Sequence, residues 1–196
     1  MAERKARIER KTRETDVTVE LNLDRARSPQ VKTGVGFLDH MLAALSKHAG
    51  FGLAVRCRGD LHVDAHHSVE DVAITLGQAL RACLGDRHGI ARFGHAYCPL
   101  DEALSRAVVD LSGRPWLHMG VTFRAKKIGD LPTELLEDFF WALADHGRLS
   151  LHLDLIRGRN SHHIAEATFK ATARALAMAV ALDPRQRGVP STKGTL

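Results

Sequence analysis

Cysteine and aromatic residues are scarce in this chain, with three Cys, two Trp and one Tyr among 196 residues. Cys57, Cys83 and Cys98 are odd in number and widely spaced, with no CxxC pair, so no disulfide framework or zinc ribbon is expected. A reducing cytoplasm is the simplest compartment. With so few aromatics there is no interleaving of basic and aromatic residues of the kind that stacks nucleobases. Long apolar runs are missing too. No stretch approaches the ~18 residues of a membrane span, and no apolar segment follows Met1-Ala2-Glu3-Arg4-Lys5 as in a signal peptide. Charge of one sign is not gathered into a block. The net charge of +5 comes from 28 Lys and Arg against 23 Asp and Glu. Only Arg4 to Arg13 is dense, and there Glu3, Glu9 and Glu14 interleave with it as on a solvated strand face, so nucleic acid is not expected as a partner.

Histidine, in contrast, is abundant and patterned. His66, His67 and Glu70 form an HHxxE segment, and His162, His163 and Glu166 form another. On a helix, neighbouring residues point ~100° apart while residues three or four apart share a face. Each segment can therefore offer one imidazole to each of two ions, with its glutamate joining one of them. Imidazole and carboxylate suit a borderline transition metal.

The two segments belong to an internal repeat. Placing His66 on His162 also aligns Ala79 with Ala175 and Leu80 with Leu176. With a gap of two, Leu38-Asp39 falls on Leu136-Glu137, Leu45 on Leu143, His48 on His146 and Leu53 on Leu151. Each half then reads as an apolar-periodic helix (37–49, 133–147), an alternating strand (51–58, 149–156), a Gly turn and the HHxxE helix. Two strand-like runs open each half: 6–12 with 16–23, and 104–111 with 116–123. Ser28-Pro29 and Ser112-Gly113-Arg114-Pro115 read as the turns that break them. The expected fold class is α+β and internally duplicated. Each half (about 1–95 and 96–196) is a mostly antiparallel or mixed sheet with helices on one face, and the helices pack between the two sheets. The 196 residues, 44% of them hydrophobic, suffice for one catalytic unit with a single core.

Two further histidines precede the HHxxE segments: His40 the first and His152 the second. They complete a count of six histidines and two glutamates, enough for two sites of three His and one Glu. The repeat does not align His40 with His152, so the halves differ chemically. Two other readings compete. A dimetal phosphoester hydrolase would use similar ligands but usually relies on bridging aspartates, and Asp64 and Asp71 are the only aspartates near the histidine pairs. A basic RNA-binding module explains the charge but not the doubled HHxxE.

The ordered set of motifs resembles the imidazoleglycerol-phosphate dehydratase family of histidine biosynthesis. The segments are Arg10-Lys11-Thr12-Arg13-Glu14-Thr15, Thr33 to Leu42, Asp64 to Asp71, Asp101-Glu102-Ala103, Asp110 to Pro115, Ser161 to Ala171 and Ser191-Thr192-Lys193, so the likeness runs nearly end to end. It implies a ribosomal-protein-S5-domain-2-like fold and a site holding two Mn2+. The ligands would be His40, His66, His67, Glu70, His152, His162, His163 and Glu166. It implies a hydro-lyase acting on a small phosphorylated imidazole through a metal-bound imidazolate and a diazafulvene-like intermediate. Glu14, Glu70 and Glu166 are the catalytic candidates, and which one abstracts the proton stays open. Glu14, Arg92, Arg114, Lys170, Ser191 and Lys193 would bind the substrate and its phosphate. Without the family context, Lys170 is simply the i+4 ion-pair partner of Glu166. Relatives assemble as trimers and then as shells of twenty-four subunits with metals where subunits meet, so a large homo-oligomer is expected.

Overall fold

The computed structural model describes residues 3–186 and 188–196. The first half runs β1 (Lys5–Lys11), β2 (Thr15–Asn22), β3 (Gln30–Lys32), α1 (Gly36–Ala49), β4 (Gly52–Gly59) and α2 (His66–Leu84). The second runs β5 (Phe93–Leu100), β6 (Ala103–Asp110), β7 (Trp116–Gly120), the two-residue strands β8 (Lys127–Ile128) and β9 (Leu131–Pro132), α3 (Leu135–Gly147), β10 (Ser150–Arg157) and α4 (Ser161–Val180). The sheets have the orders β1-β2-β4-β3 and β5-β6-β10-β7, which are the same order once the repeat is superposed. In each, the short third strand is the parallel partner of the strand between the helices, and the other pairs are antiparallel.

The helices lie between the sheets and pair across the halves, α2 with α3 and α1 with α4. The reason is visible along each strand. In β2, Val17, Val19 and Leu21 alternate inward with the exposed Asp16 and Glu20, so one sheet face is apolar and must be covered. The helices cover it with their own apolar faces. Leu38, Met41, Leu42 and Leu45 of α1 are buried, and Phe139 and Phe140 of α3 meet Phe169 of α4 with ring centroids 5.2 and 4.8 Å apart. Each such side chain contributes about 1.5–3 kcal/mol by leaving water. No helix among the described residues is long and apolar enough to cross a membrane.

The structure corrects the opening of the second half. Its first hairpin is β5 with β6, so the run 116–123 does not pair with 104–111 as an opening strand. It supplies β7, the counterpart of β3, which stops at Gly120. Strand β5 hides from sequence reading because its inward positions carry Gly94, Ala96 and Cys98 rather than large aliphatics. Gly94 is obligatory there, since a Cβ would lie 2.0 Å from the Ala175 carbonyl oxygen of α4.

Candidate active site

The two HHxxE segments form the first turns of α2 and α4, and side chains just upstream secure both ends. The Asp64 carboxylate accepts the His66 N–H, and the Asn160 side chain accepts the N–H groups of His162 and His163. Rings of adjacent histidines stand nearly perpendicular, at 84° for His66 and His67 and 86° for His162 and His163. The first histidine of each segment faces a helix of the other half, His66 toward Asp138 of α3 and His162 toward His40 of α1, and Glu166 faces His40 as well. The second histidine faces a β-turn.

On α4, this arrangement closes a cluster with α1. His40 Nε2 and His162 Nε2 lie 3.1 and 3.2 Å from the same oxygen of Glu166, and ligand atoms of the three residues fall within 4.8 Å of one another. Lys170 Nζ sits 2.6 Å from the other Glu166 oxygen. Burial works against the Glu166 charge, but the hydrogen bond from Lys170 and the contacts with His40 and His162 outweigh it and hold the carboxyl at about 2. The edge of Phe37 packs on His162 with centroids 5.1 Å apart and walls the cluster.

The pseudo-equivalent cluster is looser. His66 Nε2 is 4.0 Å from Glu70, and its Nδ1 is 3.8 Å from Asp138 of α3, the residue that the repeat places opposite His40. The position matching Lys170 is Ile74, which brings no charge. Asp138 escaped the reading of the sequence, although the repeat alignment contains it.

The second histidines have carboxylates of their own. His67 Nδ1 lies 3.0 Å from Asp60 and its Nε2 lies 3.8 Å from Glu14. His163 Nδ1 lies 2.8 Å from Glu102 and its Nε2 lies 3.8 Å from Asp101. The hydrogen bonds that these two imidazoles donate to Asp60 and Glu102 raise their pKa. Glu102 itself is held at about 2, first by His163 and then by the backbone N–H groups of Asn160 and Arg159. A carboxylate only accepts, so each pairing places a proton on Nδ1 and turns Nε2 away from the carboxylate that holds the ring. Asp60 has no spacing that marks it in the sequence, and Glu102 stands there only within the family-like segment Asp101-Glu102-Ala103, with no role attached.

The remaining candidates stand elsewhere. Arg92 grips Asp110 with two nitrogens at 2.8 and 3.2 Å and gives a third to the Pro190 carbonyl at 2.8 Å, next to Ser191. Arg114 and Lys193 are exposed, and the Arg114 guanidinium lies 3.4 Å from the Ser112 carbonyl. The Arg92 backbone N–H donates to Ala179 near the end of α4, so this corner is about 25 Å along the helix from His162 at ~1.5 Å per residue. His152 is exposed on the outer face of β10, beside His118 of β7. The structure thus unites His40, His162, Glu166 and Lys170 in one place and His66 and Glu70 in another. Arg92 and Ser191 share a third, and His152 is apart from all of them. Asp71, a bridging ligand in a hydrolase reading, is buried and spent on Arg10 and Thr15.

Comparison with known proteins settles the family. The family model described as imidazoleglycerol-phosphate dehydratase matches residues 33–176. The chain belongs to the imidazoleglycerol-phosphate dehydratase family. It is 56% identical over 194 residues to the dehydratase of Gluconobacter oxydans, covering 98% of each chain. Identity to that of Hahella chejuensis is 53% over 197 residues, with all of both chains covered. Among solved structures, the imidazoleglycerol-phosphate dehydratase from Staphylococcus aureus superposes with a TM-score of 0.83 at 39% identity, covering 91% of this chain and 99% of that one. The Pyrococcus furiosus protein gives 0.84 at 37%, covering 96% and 100%. The duplicated α+β fold and membership of a hydro-lyase family, both expected from the motifs, are thereby established for this dehydratase-family chain.

Proposed function

We propose that this chain dehydrates D-erythro-imidazoleglycerol phosphate to imidazole acetol phosphate and water in the cytoplasm, as a step of histidine biosynthesis, with two Mn2+ at each active site. The observation that carries the metal is the pair of HHxxE segments, each with perpendicular rings and each with a second histidine whose Nδ1 is held by a carboxylate. That donor set fits a six-coordinate ion with positions left for substrate, whereas a closed tetrahedral structural zinc site would leave none. When bound, the ions act as Lewis acids on the imidazole nitrogens, which makes the ring acidic enough to help expel a poor leaving group.

The chain's own side chains divide the rest of the work. Glu166 is committed on both oxygens, to Lys170 and to the two histidines, which suits a ligand and not a mobile base. Among the described residues Glu14 accepts no hydrogen bond on its carboxylate, and it stands at the histidine pair with half of its side chain exposed. It is the better candidate to take the proton from the glycerol carbon. Arg92, Arg114, Lys170, Ser191 and Lys193 supply the charge-assisted donors that a phosphate dianion needs.

The separation along α4 bears on assembly. A substrate a few ångströms long does not bridge about 25 Å, so a site using both ends must draw on more than one copy of the chain. Outer surfaces of the two sheets support self-association. On the first, Lys5, Arg7, Glu9, Lys11, Asp16, Glu20, Arg56 and Arg58 are exposed. On the second, Phe93, Tyr97, Val108 and Trp116 are exposed at 58%, 53%, 38% and 57%. Four exposed large apolar side chains on one of two equivalent sheets, set among His95, His118 and His152, support a subunit contact there, consistent with trimers building toward twenty-four subunits.

The deciding experiment is formation of imidazole acetol phosphate by chelator-stripped protein with and without added Mn2+. Product that depends on manganese is expected. No product from folded, metal-loaded protein would overturn the assignment, and phosphate release in its place would point to a hydrolase.

A further inference from the structure

The two carboxylates behind the second histidines are not equivalent, and the difference has a chemical consequence. Glu102 lies in the β5–β6 turn and is bolted down. Its Oε1 accepts the backbone N–H groups of Arg159 and Asn160 at 3.0 and 2.7 Å, while Oε2 faces His163 Nδ1 at 2.8 Å. Asp60 follows β4 and holds His67 Nδ1 with both oxygens, at 3.2 and 3.0 Å. Among the described residues its carboxylate accepts no backbone N–H.

We infer that Glu102 is a positioning residue that fixes the Nδ1–H tautomer of His163 and so aims Nε2 at a metal ion, and that Asp60 performs the same task for His67 by a bond that tolerates amide substitution. This rests on the proposed metal reading of the HHxxE segments and adds two residues to it. A glutamine at 102 has one oxygen. The two backbone donors require that oxygen at the Oε1 position, so the amide NH2 falls at the Oε2 position, against His163 Nδ1. Nδ1 must then accept, the proton moves to Nε2, and the nitrogen that would bind metal is blocked. An asparagine at 60 meets no such constraint. It turns its carbonyl oxygen to His67, and the tautomer survives.

The test compares wild type, Glu102→Gln and Asp60→Asn as chelator-stripped full chains. Solid-state 15N spectra of histidine-labelled protein, recorded at a pH alkaline enough to keep the imidazole neutral, distinguish the two tautomers whatever the particle size, with the His163 signal identified by its loss in His163→Gln. Mn2+ affinity is measured on the same samples by titration calorimetry, and melting temperature reports folding. The expected result is Nδ1–H at His163 in wild type and Asp60→Asn, and Nε2–H in Glu102→Gln. Manganese affinity should fall about 10–100-fold at one class of site in Glu102→Gln and less than about tenfold in Asp60→Asn. A Glu102→Gln protein that keeps Nδ1–H, or that binds Mn2+ as tightly as wild type, overturns the inference. If wild type itself binds no Mn2+, the metal reading falls, and the 15N spectra still decide the tautomer. Glu102→Asp, which keeps an acceptor-only group, should restore the Nδ1–H signal if the variant's defect lies in the proton and not in folding.

Discussion

Asp130 stands in the turn between β8 and β9 and caps a helix to which it is not adjacent in sequence. Its two oxygens accept the N–H groups of Gly36 and Phe37 at 2.6 and 3.1 Å, at an α1 start whose own N-cap residue, Val35, brings no side-chain oxygen. Replacing Asp130 with Ala should cost about 1 kcal/mol, the usual worth of a cap, measured by urea unfolding at neutral pH. Burial pushes the Asp130 carboxyl up, but the Phe37 and Gly36 N–H groups more than offset this and leave it below the usual aspartate value. A carboxyl depressed in the folded state stabilises above its unfolded pKa, and that contribution drains away as pH falls through the folded value. The gap between wild type and Asp130→Ala should therefore close in acid, and a gap that persists would locate the cost elsewhere. For the site, His163→Ala should abolish turnover and weaken metal binding, read by kinetics and metal analysis. Arg114→Ala should chiefly raise KM. His66, His67, Glu70, His162, His163 and Glu166 stand out as candidates in the sequence because a doubled motif at matched spacing carries its own control. Asp60 and Asp130 do not, because tertiary structure brings them in and no local period announces a carboxylate in a turn; Glu102 lies in the family-like segment Asp101-Glu102-Ala103, but its partner His163 is set by the fold.

Helix pairing depends on small residues at the crossings. A Cβ on Gly77 of α2 would lie 2.8 Å from the Gly147 nitrogen and 2.9 Å from the Leu143 carbonyl oxygen of α3. Alanine in an exposed helix interior normally stabilises relative to glycine, yet backbone atoms cannot swing aside as side chains do. Gly77→Ala should thus destabilise by about 1–3 kcal/mol in denaturant melts, and a gain would show that the helices part without penalty. The helix ends make the opposite prediction. Gly50 closes α1 at φ 71°, and its repeat partner Arg148 closes α3 at φ 52°, a conformation costly for a residue with a Cβ. Arg148→Gly should stabilise by about 0.5 kcal/mol, since its backbone contacts remain and glycine's greater freedom when unfolded offsets part of the relief. Lower stability would mean that the guanidinium pair with Asp145, at 3.8 Å, outweighs the strain. Elements with large apolar faces, α1, α3, β4 and β10, were legible within a residue or two. Strand β3, of only three residues, and β5, with small residues inward, lacked the alternating bulk from which a strand is read.

At the scale of the whole molecule, two sheets with one topology expose equivalent outer faces of different composition, charged on the first and bearing large apolar side chains on the second. Trp116→Glu combined with Tyr97→Glu should reduce the particle mass measured by light scattering while the far-ultraviolet spectrum of the chain stays native. Unchanged mass would assign the subunit contact to another surface. The duplication has one more consequence. Among the described residues the backbone ladders of β1 to β4 do not join those of β5, β6, β7 and β10, so the halves meet mainly through helix packing, with hydrogen bonds such as those of Asp130 to α1, Arg4 to the Val180 carbonyl and Arg87 to the Arg148 carbonyl. The segment from Gly85 to Arg92 joins them covalently and is itself packed in place, with Ile90 and Arg87 buried and Gly89, Ala91 and Arg92 hydrogen-bonded to the chain after α4 or its end, so besides its contacts it contributes local concentration, on the order of millimolar for a short linker. The protein is in effect a dimer whose two partners are delivered on one message, free to diverge at the positions of His40, Asp138, Lys170 and Ile74 without ever losing each other.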